Sequence, residues 1–171
     1  HMGEQATILF NEATEWLNKI VDGKLLTASG VAGIWPANRV GTDDIAVYTD
    51  NSRQDRSATL CNLRQQSEKP PGRPNIALSD FVAPVGTDDW VGGVVVTAGK
   101  GIGPLVKRLE DEHDSYSAIM VKALADRLAE AAAEWLHESV RTTLWGYEQR
   151  EEFSKQELIK EKYRGIRPAP G

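Results

Sequence analysis

Apolar residues recur three and four positions apart in two long stretches of the chain, which predicts two amphipathic helices. The first covers 4–22 and is followed by Gly23, a residue type that commonly ends a helix. The second covers 115–142 and is the longest element that the pattern predicts. Two shorter helices are predicted at 104–112, with proline in the first turn, and at 154–162, which begins with capping-box spacing.

Short apolar runs between polar turns predict strands. A strand is predicted at 31–35, with Pro36 ending it, and a second at 45–48 that pairs with the first across a turn. The strongest strand pattern covers 90–97, where two adjacent glycines indicate a bulge or a close backbone approach. Polar residues dominate 50–75, which predicts a loop with one helical turn near Leu60 to Leu63.

These elements do not alternate as regular β-α-β units, which favours an α+β fold with a mainly antiparallel sheet. Each tryptophan of the chain can bury a large apolar area. The tryptophans are spread along the whole chain, at Trp16, Trp35, Trp90, Trp135 and Trp145. We therefore expect a single domain whose core draws on every segment.

Composition and charge exclude several classes of function. The chain has 171 residues, of which 40% are hydrophobic and 26% charged, typical of one folded globular domain. A net charge of −5 argues against a nucleic acid or an anionic membrane as partner. Cys61 is the single cysteine, which favours a reducing compartment, and we expect a cytoplasmic protein. No apolar run reaches the length of a membrane span.

Several short motifs could carry chemistry, but each has a simpler structural interpretation. The glycine-rich segment 99–103 lacks the spacing of a dinucleotide or phosphate-binding loop, so an ordinary strand-to-helix turn is favoured. His113 and its acidic neighbours are interpreted as a solvated junction between helices. His137 is interpreted as a surface or half-buried side chain, and Cys61 as a small packing residue. Neither a metal site nor a catalytic residue is therefore assigned.

Two features remain as candidates for ligand binding. Asp126 and Glu130 are four residues apart on the long helix, so their carboxylates are neighbours on one face, with Arg127 on another; a solvated face is the alternative interpretation. In the segment 165–171 two prolines flank Ala169 and nearly fix the backbone beside an arginine. Such a segment suits carboxylate recognition, because arginine can donate two parallel hydrogen bonds; a plain proline-rich tail is the alternative.

Seven blocks of the sequence carry a family resemblance. They are 35–39, 63–66, 80–84, 119–131, 136–138, 145–147 and 165–171. In this order they resemble the activation domain of cobalamin-dependent methionine synthase, from about residue 30 to the end of the chain. The resemblance implies a curved single α+β domain with a twisted, mainly antiparallel sheet flanked by helices.

The resemblance also implies a function. The parent enzyme is a methyltransferase that moves a methyl group from methyltetrahydrofolate to homocysteine through cobalamin. Its activation domain binds S-adenosylmethionine and serves the reductive remethylation of cob(II)alamin. The implied partners are the cobalamin-binding domain of the same enzyme and a flavodoxin-like electron donor, with neither nucleic acid nor membrane involved. We expect the isolated chain to be inactive as an enzyme.

Four residues of this sequence match positions that contact S-adenosylmethionine in the family. Arg167 matches the arginine that contacts the ligand's carboxylate, and Ala169 matches a position whose backbone contacts the ligand. Glu130 matches a helix glutamate near the amino-acid end of the ligand, and Glu161 is a second acidic candidate there. An arginine for the carboxylate and a carboxylate for the ammonium would clamp a zwitterion. The implied contribution to catalysis is orientation of the methyl donor.

The domain boundaries and one alternative function complete the expectations. We interpret residues 1–2 as an expression scar and 3–171 as a partial activation domain, with both ends of the family domain missing. The alternative is a protein-interaction module that docks a flavodoxin-like electron donor and binds no ligand itself. It rests on a basic cluster in an acidic chain, formed by Arg53, Arg56, Arg64, Lys69 and Arg73.

Overall fold

A computed structural model describes residues 3–148 and 152–165 of the chain. The helices are α1 (Glu4–Asp22), α2 (Ile102–Asp111), α3 (Ser115–Ser139) and α4 (Lys155–Ile159). The strands are β1 (Thr27–Val40), β2 (Asp44–Tyr48), β3 (Arg56–Leu60) and β4 (Trp90–Lys100). A 3-10 turn covers Leu78–Phe81, and a π-helix, Val140–Leu144, continues from α3.

The four strands form one sheet in the order β3-β2-β1-β4. β1 pairs antiparallel with β2, with Ala37 opposite Val47, and β2 pairs antiparallel with β3, with Ile45 opposite Leu60. Each of the four helices begins and ends within three residues of its predicted bounds. The α+β class and the mainly antiparallel sheet are confirmed.

Two strand predictions were wrong. β1 does not end at Pro36 but continues to Val40, because proline removes only its own N–H from the ladder while Ala37 N donates to Asp89 O at 2.9 Å. The helical turn expected near Leu60 to Leu63 is not formed. Part of the predicted loop is instead strand β3, whose five residues are all exposed. An exposed edge strand is held by main-chain pairing, so its side chains need not alternate between apolar and polar.

The chain contains two compact units, residues 1–32 with 94–171, and residues 33–93. In the first unit α2 packs against α3, and the core consists of Leu105, Val106, Leu109, Ala118 and Val121. Trp16, Leu25 and Ile102 pack against this cluster from outside. Trp135 is 67% exposed and Trp35 45% exposed, so these two tryptophans bury less area than their size allows.

The second unit is built on the paired ends of β1 and β2. Ala37 and Ala46 are completely buried, and Ile45, Val47 and Tyr48 nearly so. Asn38 is also fully buried, and its Nδ2 donates to the carbonyls of Ala83, Pro84 and Thr87 at 3.2, 3.2 and 2.7 Å. This amide ties the loop that precedes β4 to the sheet.

The glycines singled out on β4 and after it have clear structural roles. A Cβ atom at Gly93 would lie 3.2 Å from the Trp35 ring, which confirms the predicted close approach. Gly101 caps α2 with φ of +102°, a conformation that glycine adopts without strain. The segment 99–103 is therefore the end of a strand, a left-handed glycine and the start of a helix, as predicted.

Candidate functional site

Two of the four predicted ligand contacts, Arg167 and Ala169, lie outside the described residues. Glu130 lies on α3, and its side chain is 64% exposed. Its Oε2 forms an ion pair with Nη1 of Arg127 at 2.9 Å, a contact that sequence reasoning did not predict. Residues three apart on a helix are neighbours on its surface, and the long arginine side chain closes the gap.

Glu161 follows α4 in a left-handed conformation, with φ of +50°. Its backbone N–H donates to Leu158 O at 2.9 Å, and its side chain is exposed. Among the described residues, neither a hydrogen bond nor an ion pair joins Glu161 to Glu130. The two carboxylates are thus presented on separate elements of the same unit, α3 and the turn after α4.

The segment that leads into residues 166–171 is anchored on the end of α3. Tyr163 is only 6% exposed. Its ring lies edge-on to His137, with centroids 5.1 Å apart and planes at 79°, and the guanidinium carbon of Arg141 lies 4.3 Å from the ring centroid. Nδ1 of His137 accepts from Nη1 of Arg141 at 2.5 Å. We name these three residues the Tyr163 anchor.

The burial of His137 corrects the sequence-based interpretation of that residue. A surface or half-buried side chain was expected, but His137 is 7% exposed and Arg141 only 1%. His137 and Arg141 are four residues apart, so they lie on one helix face, and a buried polar pair at this spacing needs partners to offset its loss of water. The Tyr163 ring makes an edge-to-face contact with His137 and offers its π-face to Arg141.

A second tether joins the same segment to the chain after α3. Tyr147 donates from its hydroxyl to Arg164 O at 3.3 Å, and Arg164 Nη1 donates back to Tyr147 O at 3.2 Å. The π-helix brings Tyr147 to this place: Trp145 N donates to Val140 O, five residues earlier, at 2.9 Å. Gly146, with φ of +71°, then ends the helix.

Glu130 and the Tyr163 anchor share a face of α3. On α3, Glu130, Glu134 and His137 follow one another at intervals of four and three residues, which places them in one stripe, and Arg141 follows in the π-helix. Seven residues complete two helical turns to within about 20° and span about 10 Å along the axis. The stripe therefore carries an exposed carboxylate two turns from the point where the C-terminal segment is attached.

The remaining candidates do not form a site in the described part of the chain. Residues 3–148 and 152–165 contain no cluster of three potential metal ligands. His113 is an exposed, left-handed residue between α2 and α3, which confirms the predicted solvated junction. Cys61 is exposed, so the prediction of a packing role was wrong. No helix in the described residues is long and apolar enough to cross a membrane.

Two of the five cations in the basic cluster proposed for partner docking are engaged within the protein. Arg53 donates to Asp89 O at 2.9 Å, lies 3.5 Å from the Asp88 carboxylate and faces the Trp90 ring at 5.1 Å. Arg64 pairs with two carboxylates, those of Asp43 and Asp80. Only the other three cations of the cluster, Arg56, Lys69 and Arg73, are classed as exposed.

The Arg64–Asp80 pair predicts a specific dependence of stability on pH. Arg64 donates two hydrogen bonds to Asp80, at 2.6 and 2.9 Å, and with the N–H of Ala77 they hold the pKa of Asp80 well below its usual range. The stabilisation is complete above the unfolded-state pKa near 3.9 and is lost as the pH falls toward the folded-state value. We expect the urea midpoint to fall less steeply between about pH 5 and pH 2 in Asp80→Asn than in the wild type.

Arg64→Gln is the matched partner for that measurement. If the pair causes the acid sensitivity, the urea midpoint of Arg64→Gln also falls less steeply over this pH range. The double variant then shows the same pH slope as either single variant. An unchanged acid slope in Asp80→Asn would show that other groups govern unfolding at low pH.

The described residues define an α+β domain with an exposed carboxylate on a long helix, and the segment that ends at Gly165 is anchored near the end of that helix. The sequence matches the family "Vitamin B12 dependent methionine synthase, activation domain" over residues 1–171. A solved structure described as "Crystal Structure of the MetH Reactivation Domain bound to AdoHcy" is similar, with a TM-score of 0.88 and 50% sequence identity. The match covers 98% of this chain and 51% of that one, so this chain spans about half the length of the solved structure. The chain belongs to the activation domain family of vitamin B12 dependent methionine synthase.

Sequence reasoning missed the Tyr163 anchor. A signal was present, since His137 and Arg141 are four apart on the predicted helix and Tyr163 shortly precedes Arg167. Periodicity alone could not show that two polar residues of the helix are buried, because the ring that covers them is distant in sequence.

Proposed function

We propose that this chain binds S-adenosylmethionine and serves the reductive reactivation of oxidised cobalamin in a methionine synthase. The observation that carries the proposal is the shared face of α3, where exposed Glu130 lies two turns from His137, the residue that holds the Tyr163 ring. Family membership and the similar structure bound to AdoHcy support it, because S-adenosylhomocysteine is what S-adenosylmethionine becomes when it gives up its methyl group.

When bound, S-adenosylmethionine supplies an electrophilic methyl group on a positively charged sulfur. Reactivation moves that methyl from sulfur to cobalt as one electron enters from a donor, and leaves the neutral thioether S-adenosylhomocysteine. Such a transfer does not require a protein acid or base, so the residues of this chain contribute binding and orientation.

The proposed ligand contacts divide by charge. Arg167 grips the ligand's carboxylate with two parallel hydrogen bonds, and Ala169 contacts the ligand through its backbone. Glu130 faces the ammonium group, with Glu161 as a second carboxylate near it. Glu130 is available for this role because its ion pair with Arg127 is exposed, and exposed pairs of this kind contribute little to stability. The ligand's ammonium can therefore replace Arg127.

Covalent geometry brings the proposed contacts within reach of one ligand. Arg167 is two residues beyond Gly165, so their Cα atoms are at most about 7 Å apart in any conformation. Gly165 follows the Tyr163 anchor, and Glu130 lies about 10 Å along α3 from His137. The ligand's carboxylate and ammonium are bonded to the same carbon, so the proposed clamp requires the long Arg167 and Glu130 side chains to close these distances between them.

Calorimetric titration with S-adenosylmethionine tests the proposal. We expect Arg167→Ala to weaken binding at least about tenfold, because a charge-assisted bidentate contact is lost, and Glu130→Gln to weaken it by a smaller factor. Arg56→Ala is the control for Arg167→Ala, and Glu110→Gln is the control for Glu130→Gln. Each control removes the same charge at an exposed residue, and we expect the wild-type affinity in both. The titration is run on this chain and on a version extended to the length of the solved relative.

The outcomes distinguish an error in the proposed ligand contacts from an error in the proposed function. Wild-type affinity in Arg167→Ala would contradict the proposed clamp even if the protein binds the ligand. Failure of both the chain and its extended version to bind S-adenosylmethionine would contradict the proposed function.

The activity of the whole enzyme and its partners are part of the proposal. We infer that the cobalamin-binding domain of the same enzyme holds the cobalamin, that a flavodoxin-like protein supplies the electron, and that the isolated chain has no turnover of its own. No surface of this chain is assigned to the electron donor, because Arg53 and Arg64 of the basic cluster are committed to internal partners.

A further inference from the structure

Tyr163 lies four residues before Arg167 and is the most buried residue of the chain that leads to it. We propose that Tyr163, held by His137 and Arg141, is a positioning residue that sets the affinity for S-adenosylmethionine by ordering the segment after it. This inference rests on the proposed function, since it concerns the placement of Arg167.

The contacts within the Tyr163 anchor have a specific geometry. The planes of the His137 and Tyr163 rings meet at 79°, the edge-to-face geometry that aromatic quadrupoles favour. The Arg141 guanidinium lies over the same ring at 4.3 Å while 1% exposed, and a cation–π contact is strongest when desolvated. The hydrogen bond between His137 and Arg141 keeps both partners in place. The ring therefore has one preferred position.

The second tether cannot replace this one. Arg164 and Gly165 are exposed, and the guanidinium of Arg164 lies 5.9 Å from the Tyr147 ring. The two hydrogen bonds between Tyr147 and Arg164 are 3.2 and 3.3 Å long. Bonds of that length in contact with water contribute little net free energy. Loss of the buried anchor would thus release residues 161–165.

A released segment must be ordered again when the ligand binds. Each residue that binding has to order opposes the affinity, even though none of the ligand's own contacts is removed. We therefore expect Tyr163→Leu, which keeps an apolar side chain but removes the ring, to weaken S-adenosylmethionine binding about tenfold. Tyr163→Phe keeps the ring and is expected to bind within about twofold of the wild type.

The test is a double-mutant cycle measured by calorimetry on the protein that binds in the titration above. Tyr163→Leu is made alone and together with Arg167→Ala. If Tyr163 acts through Arg167, the tenfold loss shrinks to about twofold or less in the Arg167→Ala background. Hydrogen exchange provides a second readout: amides of residues 161–165 exchange faster in Tyr163→Leu, while those of α2 and α3 up to residue 136 do not change.

Each outcome decides a different question. Wild-type affinity in a folded Tyr163→Leu, or an equal loss with and without Arg167, overturns the positioning role and leaves the proposed function standing. Absence of S-adenosylmethionine binding by the wild type overturns both. If Tyr163→Leu does not fold, His137→Gln keeps the tyrosine and Arg141, and a loss of about threefold that vanishes in Arg167→Ala supports the role, whereas wild-type affinity overturns it.

Discussion

Replacing Gly101 with alanine is expected to destabilise the protein by about 4 kcal/mol. Two costs combine at this position. With φ of +102°, Gly101 holds a conformation that strains any residue with a Cβ. A Cβ would also lie 2.6 Å from the carbonyl oxygen of Leu25, closer than real Cβ atoms approach other atoms.

Neither cost can be relieved locally, which is why the expected effect is large. The atom in the way belongs to the backbone, so a rotamer change cannot move it. Leu25 packs against the core cluster of the first unit, and Gly101 forms the N-cap of α2, which contributes Leu105, Val106 and Leu109 to that cluster. Relief of the clash must therefore shift either the start of α2 or the segment before β1.

Gly86→Ala is the matched control for this prediction. Gly86 has the same φ, +102°, but a Cβ there would have no atom within 4 Å. We expect Gly86→Ala to cost about 1–2 kcal/mol, the backbone strain alone. Urea denaturation followed by circular dichroism measures both variants. Equal losses would show that the contact with Leu25 yields without cost.

Leu109→Ala is expected to lower the free energy of unfolding by about 3 kcal/mol. Leu109 is 4% exposed and belongs to the core cluster of α2 and α3, which includes the completely buried Val121. Truncation to alanine removes apolar surface that was hidden from water and leaves a cavity. Helices on both sides limit how far that cavity can collapse.

Ile119→Ala provides the control, because leucine and isoleucine are isomers and both variants lose the same atoms. Ile119 lies on α3, in the same unit, but is 66% exposed. We expect a change within about 0.5 kcal/mol, since little burial is lost and alanine favours a helix. The same urea titration applies. A loss near 3 kcal/mol at Ile119 would show that this face of α3 is covered in solution.

The elements that sequence reasoning predicted well are those with strong local signals. The periodicity of α1 and α3, the proline in the first turn of α2, and the capping box in which Ser154 Oγ and Glu157 pair before α4 all lie within a few residues of their effect. Strand β4 was found for the same reason, as an apolar run bounded by turns.

The predictions that failed depended on partners distant in sequence. β3 has five exposed residues and exists because β2 offers main-chain partners, which its own sequence does not reveal. β1 passes through Pro36 because the next residue finds a carbonyl on Asp89. Arg53 and Arg64 looked like free cations, but carboxylates and carbonyls far along the chain accept their hydrogen bonds.

The candidate site divides in the same way. The family blocks can be read from the sequence, and it is the resemblance they carry that implies Arg167, Ala169, Glu130 and Glu161 as ligand contacts, which stay predictions. Helical periodicity by itself places Glu130 and His137 on one face of α3. Only the tertiary structure decided that this face ends in a buried anchor, since the Tyr163 ring that removes His137 and Arg141 from water comes from a segment more than twenty residues further along the chain.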